Sequence, residues 1–236
     1  QIKVARKLDP IIVVSENTRK DVVKDFKIDP KKTRKVLHGI DHKTFEPIPS
    51  IKRKKNQLIT TASADVPLKG LIYLIRAYSE LLNEFPDLSL VVIGKLRDGP
   101  TSNELDKKDI KNKVKFISDL TSREIAELYA ESTIAISPSV YEGFGFPAGE
   151  AMSCGIPLIS TNGGSLPEVV GDSGIIVPHS NPNELRKAIK ELLLSPEKRK
   201  KLGEKGRKRV LEKFTWKRAA KELVDVYREA ISNADN

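Results

Sequence analysis

The chain has 236 residues, 39% of them hydrophobic and 31% charged, which suffices for one well-packed core, or for a domain and a fragment of another. No apolar run approaches the ~20 residues that a membrane-spanning helix needs. A single cysteine excludes an intramolecular disulfide and a cysteine-based zinc site, and it fits a reducing cytosol. The net charge of +10 is unevenly placed: residues 1–57 carry +9, residues 58–180 carry −6 and residues 181–236 carry +7. A nucleic-acid groove would put its positive excess beside the functional motifs, but the motifs described below lie in the acidic middle. The basic ends read as solvated helix faces, or alternatively as surfaces that meet an anionic membrane or a lipid-linked substrate. The first residues, Gln1-Ile2-Lys3, contain neither an initiator Met nor a signal-peptide core, and the chain is expected to start inside a longer gene product.

In chain order, Ile11 to Ser15 reads as a buried strand, residues 16–26 as a short helix capped by Ser15, and Arg34 to Leu37 as a second strand. Pro47 to Ser50 and the cations Lys52 to Lys55 bury nothing and read as a linker. A regular alternation follows. Leu58 to Ala62 is a strand, and residues 69–84 form a helix with Leu71, Leu74, Ile75, Tyr78, Leu81 and Leu82 on one stripe. Leu88 to Ile93 is apolar throughout, which suggests a sheet covered on both faces. A short helix over 102–109, a strand from Val114 to Ile117 and a helix through Tyr129 come next, the last opened by the capping box Thr121-Ser122-Arg123-Glu124. Ile134 to Ser137 is a strand, Pro147 opens a helix ending near Gly155, and Pro157 to Ser160 is a strand. Helices opened by Asn181, Ser195-Pro196 and Thr215-Trp216 complete the chain, the last expected to turn Ala220, Leu223 and Tyr227 inward. Such an alternation predicts an α/β fold with a doubly wound parallel sheet, Rossmann-like, followed by C-terminal helices.

Ligands of these sheets bind beyond the C-terminal ends of the strands, and three loops stand there. "SVYEGFGFPAGE" places Gly143, Phe144 and Gly145, whose amides can face an anion, between Glu142 on the loop and Glu150 on the following helix. Carboxylates beside such a nest suit sugar hydroxyls better than phosphate. "TNGGSLPE" offers Gly163 and Gly164 after the next strand, and Lys69 precedes Gly70 at the start of the first helix, where it can meet a diphosphate as a point charge. Tight turns alone would also explain these glycines. Cys154 reads as a small buried filler, and Trp216 and Tyr227 as part of a helix core stripe. His38, His42 and His179 have no metal-ligand partners in the sequence.

The stretch from Ser139 to Pro178 resembles the retaining glycosyltransferases of GT-B fold, family 4 type. The matching features are Pro138-Ser139, the Glu-x7-Glu pair Glu142 and Glu150, Glu150-Ala151-Met152 followed by Gly155-x-Pro157, Gly163-Gly164, Pro167-Glu168 and Phe214-Thr215-Trp216. "VVSENTRKDV" and "HGIDHKTFEP" resemble the segments that end the N-terminal half of that fold and lead into the C-terminal half. The resemblance implies that Glu150 holds the nucleotide ribose and Glu142 contacts the donor sugar near its reacting carbon. It implies that amides around Phe144 and Gly145 serve sugar or phosphate, that Lys69 binds the diphosphate, and that the base lies against the loop from Ile117 to Leu120. It implies a UDP or GDP sugar as donor, a glycan or glycolipid acceptor, no metal and no protein nucleophile. The family usually carries Gly-Arg where this chain has Ser63-Ala64, so either Lys69 and the glycine amides suffice, or a cation such as Lys95 or Arg97 substitutes, or activity is weak; Ser63 stays among the expected donor-binding residues.

The expected organisation is residues 1–45 as the last segment of an N-terminal acceptor domain with the start of a linker, residues 46–214 as the nucleotide-sugar domain, and residues 215–236 as a C-terminal helix. The expected function is the donor half of a retaining hexosyltransferase, inactive alone without its N-terminal acceptor domain, cytoplasmic, with a peripheral membrane contact on the inner face. The alternatives are an inactive nucleotide-sugar-binding or assembly module of the same fold, and a basic nucleic-acid-binding protein.

Overall fold

The structure, a computed structural model, describes residues 2–62 and 66–234. Its first part is a small βαβ unit. After a turn of helix, α1 (Ile2–Ala5), strand β1 (Ile11–Val13) leads into helix α2 (Glu16–Phe26) and then into β2 (Thr33–Lys35), which pairs parallel to β1. Ser15 caps α2 by accepting the Thr18 amide, and the left-handed Lys27 ends it. The first strand is less buried than expected, because Ile12 points outward from this two-stranded sheet.

The second part is built on β3 (Gln57–Thr61), α3 (Leu71–Leu81), β4 (Ser89–Ile93), α4 (Pro100–Lys107), β5 (Val114–Ile117), α5 (Ser122–Glu131), β6 (Ile134–Ser137), α6 (Phe146–Ser153), β7 (Leu158–Thr161), α7 (Leu166–Val170) and β8 (Ile175–Val177). The six strands form one sheet in the order β5-β4-β3-β6-β7-β8, every neighbouring pair parallel. This is the doubly wound, Rossmann-like sheet that the alternation predicts. Successive strand residues point to opposite faces: Leu58 joins one core with Leu74, Tyr78 and Leu192, and Ile59 joins the other with Met152, Val169 and Phe214. With both faces covered, the strands carry no polar alternation. The order reverses between β3 and β6, so the crevice at their C-terminal ends is the topological switch point of the sheet.

Helices α8 (Pro182–Leu194), α9 (Pro196–Lys213) and α10 (Trp216–Ala234) close the chain. The Thr121 capping box forms as expected, with Thr121 N donating to Glu124 at 2.8 Å and Glu124 N to Thr121 Oγ1 at 3.3 Å. Several expectations shift. β8 has only three residues, a β-branched Ile-Ile-Val run to which the sequence reading assigns no strand. The helix expected from residue 69 begins at Leu71, because Pro67–Lys69 is a separate 3₁₀ turn closed by the left-handed Gly70. Helix α4 starts and ends two residues early. The 47–55 segment is more than a linker: Arg53 donates to the carbonyls of Ser132 and Gly155, strapping the ends of α5 and α6. The largest correction is the phase of α10. Trp216 and Tyr227 are about half exposed, at 52% and 53%, and Ala220 is exposed too, while Ala219 and Val226 are buried. Polar ties to the N-terminal unit set that rotation: Arg34 Nε donates to Glu229 at 2.9 Å and Arg218 Nη2 to the Leu37 carbonyl at 2.7 Å. Among the described residues no helix is long and apolar enough to cross a membrane.

Candidate functional site

Three loops meet at the switch point. The β3–α3 loop is pinned to the β6–α6 loop by Val140 N donating to the Leu68 carbonyl at 2.8 Å. Gly70 makes this contact possible. Its φ is +63°, and a side chain there would place its Cβ 2.1 Å from the Pro138 carbonyl oxygen. Lys69 is thereby held over the second loop, where its Nζ donates to Glu142 Oε1 at 2.7 Å. Ser139 Oγ donates to the same oxygen at 2.8 Å. Glu142 Oε2 has no protein partner among the described residues. Lys69 and Glu142, which have separate roles when read from the sequence, are joined by the structure in one ion pair across 73 residues.

The β7–α7 loop packs against the backbone of this Glu142 loop. A Cβ at Gly163 would meet the Ser139 and Val140 carbonyls at 2.5 Å, and one at Gly164 the Glu142 carbonyl at 2.3 Å. These two glycines make close approach possible, and the Gly163 amide is already engaged by Thr161 Oγ1 at 3.3 Å. The neighbouring Ser165, which the sequence reading passed over, holds two carbonyls. Its amide and Oγ both donate to the Glu142 carbonyl at 2.9 Å, and its Oγ also lies 2.8 Å from the Phe144 carbonyl. The Gly143 carbonyl is held by Ser15 Oγ at 3.1 Å and Thr18 Oγ1 at 3.0 Å. Three consecutive carbonyls are thus bound, while the amides of Gly143, Phe144 and Gly145 donate to no protein atom among the described residues. In a trans peptide the N–H points away from its C=O, so each free amide is turned away from the residue that holds its carbonyl. The Phe144 ring is buried with Phe214 and His38 and anchors the loop from below.

Glu150 lies one turn into α6, with no hydrogen-bond or ion-pair partner among the described residues. Burial pushes its carboxyl up to about 7 from a usual value of 4.5. Nearby, the buried Tyr129 hydroxyl lies 3.0 Å from Thr61 Oγ1 and 3.3 Å from the Pro147 carbonyl, so it ties the end of β3 to the start of α6 without satisfying Glu150. Ile117 and Leu120 stand at the same edge, two strands from β3, half-buried against the α5 side of the core. Of the substitute cations, Lys95 pairs with Asp119 at 2.9 Å, whereas Arg97 is exposed and unpaired among the described residues. Ser63 and Ala64, and the turn residue Asp65, lie outside the described residues. Cys154 is buried and its thiol is pushed up to about 12, as expected of a filler.

The sequence profile of the family described as glycosyl transferases group 1 matches residues 43–209, well over half of the chain. The chain belongs to the group 1 glycosyl transferases. It is 38% identical over 98% of its length to the MMP alpha-(1->4)-mannosyltransferase of Mycolicibacterium hassiacum, and spans 57% of the length of that relative. Its fold is that of solved GT-B glycosyltransferases. A glycosyltransferase of Rickettsia africae superposes with a TM-score of 0.85 at 21% identity, over 98% of this chain and 67% of the other. Anabaena HepE, solved in complex with UDP and glucose, superposes with a TM-score of 0.85 at 19% identity, over 96% of this chain and 65% of the other. In this group 1 chain the profile match ends in α9 and includes all three site loops.

Proposed function

We propose that the chain forms the donor site of a retaining glycosyltransferase that uses a nucleoside-diphosphate sugar. The observation that carries the proposal is Glu150. It is a half-buried carboxylate without a partner among the described residues, one turn beyond a loop whose three amides donate to no protein atom there. Partial burial disfavours its ionised form, as the raised carboxyl shows, and a ligand hydroxyl that donates to it offsets that cost. A ribose diol supplies two hydroxyl donors, and the adjacent amides and Lys69 suit the diphosphate. The Glu142 Oε2 that Lys69 and Ser139 leave open accepts a hydroxyl of the donor sugar. The base rests against the half-buried Ile117–Leu120 edge.

In the reaction, the bond from the anomeric carbon to the diphosphate oxygen breaks and its electron pair leaves with the nucleotide. The acceptor hydroxyl bonds to the same face of that carbon and passes its proton to the departing diphosphate oxygen. Negative charge grows on the leaving phosphate, where Lys69 and the loop amides stand already oriented; the proposal therefore requires no metal ion. The mannosyltransferase relative and the UDP-bound HepE are consonant with this donor class. The acceptor is assigned to a preceding half of the protein, of which residues 1–45 are the closing segment, and the donor half alone is inactive. For a lipid-linked acceptor, the basic ends of the chain would meet an anionic membrane on its cytoplasmic face. Calorimetric titration with UDP, GDP and ADP tests the reading. Binding of at least one at micromolar to millimolar affinity is expected, and no heat from any of the three refutes it.

A further inference from the structure

The loop amides owe their direction partly to a distant segment. Ser15 Oγ accepts the Thr18 amide at 2.9 Å and lies 2.9 Å from Thr18 Oγ1, and both hydroxyls reach the Gly143 carbonyl, 128 and 125 residues away. Two hydroxyl protons thus serve one carbonyl, directly or in relay. The same turn of α2 is fixed from other sides. Glu16 N donates to Glu168 Oε2 at 2.7 Å, Lys35 Nζ bonds the other oxygen of that carboxylate at 3.0 Å, and the Tyr141 hydroxyl donates to Asp21. Nothing steric holds Gly143 itself: a Cβ built there would meet no atom within 4 Å. A glycine with open space on its side-chain face can turn its peptide freely, so hydrogen bonds must fix it.

We infer that Thr18, together with Ser15, is a positioning residue for the diphosphate. Holding the Gly143 carbonyl orients the Gly143–Phe144 peptide, and the opposed Phe144 N–H is thereby aimed at the anion. The inference rests on the donor-site reading above. It makes the donor loop depend on the docked N-terminal unit: the site is complete only while the first turn of α2 grips Gly143.

Thr18→Val removes the hydroxyl at nearly constant shape, and Thr18→Ser restores it. With whichever of UDP, GDP or ADP the unaltered chain binds, calorimetry should show Thr18→Val weakening affinity about threefold to tenfold, the worth of one oriented hydrogen bond. Thr18→Ser should bind within about twofold of the parent. The Phe144 amide resonance should move in the Val variant and return in the Ser variant. Should Thr18→Val fail to fold, Ser15→Gly, which keeps a favourable N-cap while removing the hydroxyl, is read the same way. Unchanged affinity in the Val variant, or an equal loss in the Val and Ser variants, overturns the inference while leaving the donor site standing. Failure of the parent chain to bind any of the three nucleotides brings down the donor-site reading itself.

Discussion

Around the N-terminal edge of the sheet, Arg53 donates to the carbonyls of Ser132 at 3.3 Å and Gly155 at 3.1 Å, and Arg199 to that of Leu193 at 2.8 Å. Arg207 reaches three carbonyls, those of His42, Phe45 and Ser153, at 2.9–3.0 Å. At the C-terminal edge the amides of Gly143, Phe144 and Gly145 donate to nothing described, and Glu150 has no partner among the described residues. Both edges are rich in polar groups, and they differ in whether the protein uses them itself. Helix C-termini present bare carbonyls, and the arginines close them. The basic α9 cluster, which reads from sequence as a solvated face, is therefore partly a set of structural ties. The open edge is where polar groups are held in place and left for something else.

That contrast assigns loss of affinity to one edge and loss of stability to the other. The largest effect on affinity is expected at Glu150. Glu150→Ala should weaken nucleotide binding by about tenfold to a hundredfold, the range for hydrogen bonds to a charged group, as read by calorimetry. Arg207→Ala should do the reverse, lowering stability by about 2–4 kcal/mol in denaturant melts by removing its bonds to three part-buried carbonyls, with nucleotide affinity unchanged. Lys69→Ala should weaken diphosphate binding about tenfold at low salt, and the loss should shrink as ionic strength rises. A loss independent of salt would remove Lys69 from the diphosphate.

Glu150 should also impose a pH dependence with opposite signs for stability and affinity. Because burial raises the Glu150 carboxyl from 4.5 to about 7, the folded chain binds this proton more tightly than the unfolded chain. Its contribution is fully present below the unfolded value and is lost as pH rises through about 7, an effect on the order of 2 kcal/mol. The ligand-free melting temperature should carry this decline, and Glu150→Gln should remove that component. Nucleotide affinity should strengthen over the same window, because ribose hydroxyls donate to the ionised carboxylate. Affinity that is flat from about pH 5 to about pH 8 would take Glu150 away from the ribose.

The sheet and the three loops were legible because both rest on local signals: runs of β-branched residues, proline at helix starts, and glycine at strand ends. Glu142 and Glu150 could be singled out because a short turn separates them. What escaped was non-local. The Lys69–Glu142 pair spans 73 residues, and the grip of Ser15 and Thr18 on Gly143 spans more than 120, so no spacing rule reports either. Ser165 reads as one more turn residue until its two carbonyl partners are seen. The glycines at 163 and 164 were read for their amides, whereas their missing side chains let two loops touch. The phase of α10 was misread because bulky Trp216 and Tyr227 suggest a core stripe, while Arg34 and Arg218 anchor the helix with Ala219 and Val226 inward.

The most direct test follows backbone amide resonances during titration with the nucleoside diphosphate that binds. The largest shifts should fall on Gly143, Phe144 and Gly145 and spread to the Lys69 turn, with residues 53–56 and 199–207 at the opposite edge unmoved. Saturable shifts confined to that opposite edge, with the three loop amides unchanged, would contradict the account.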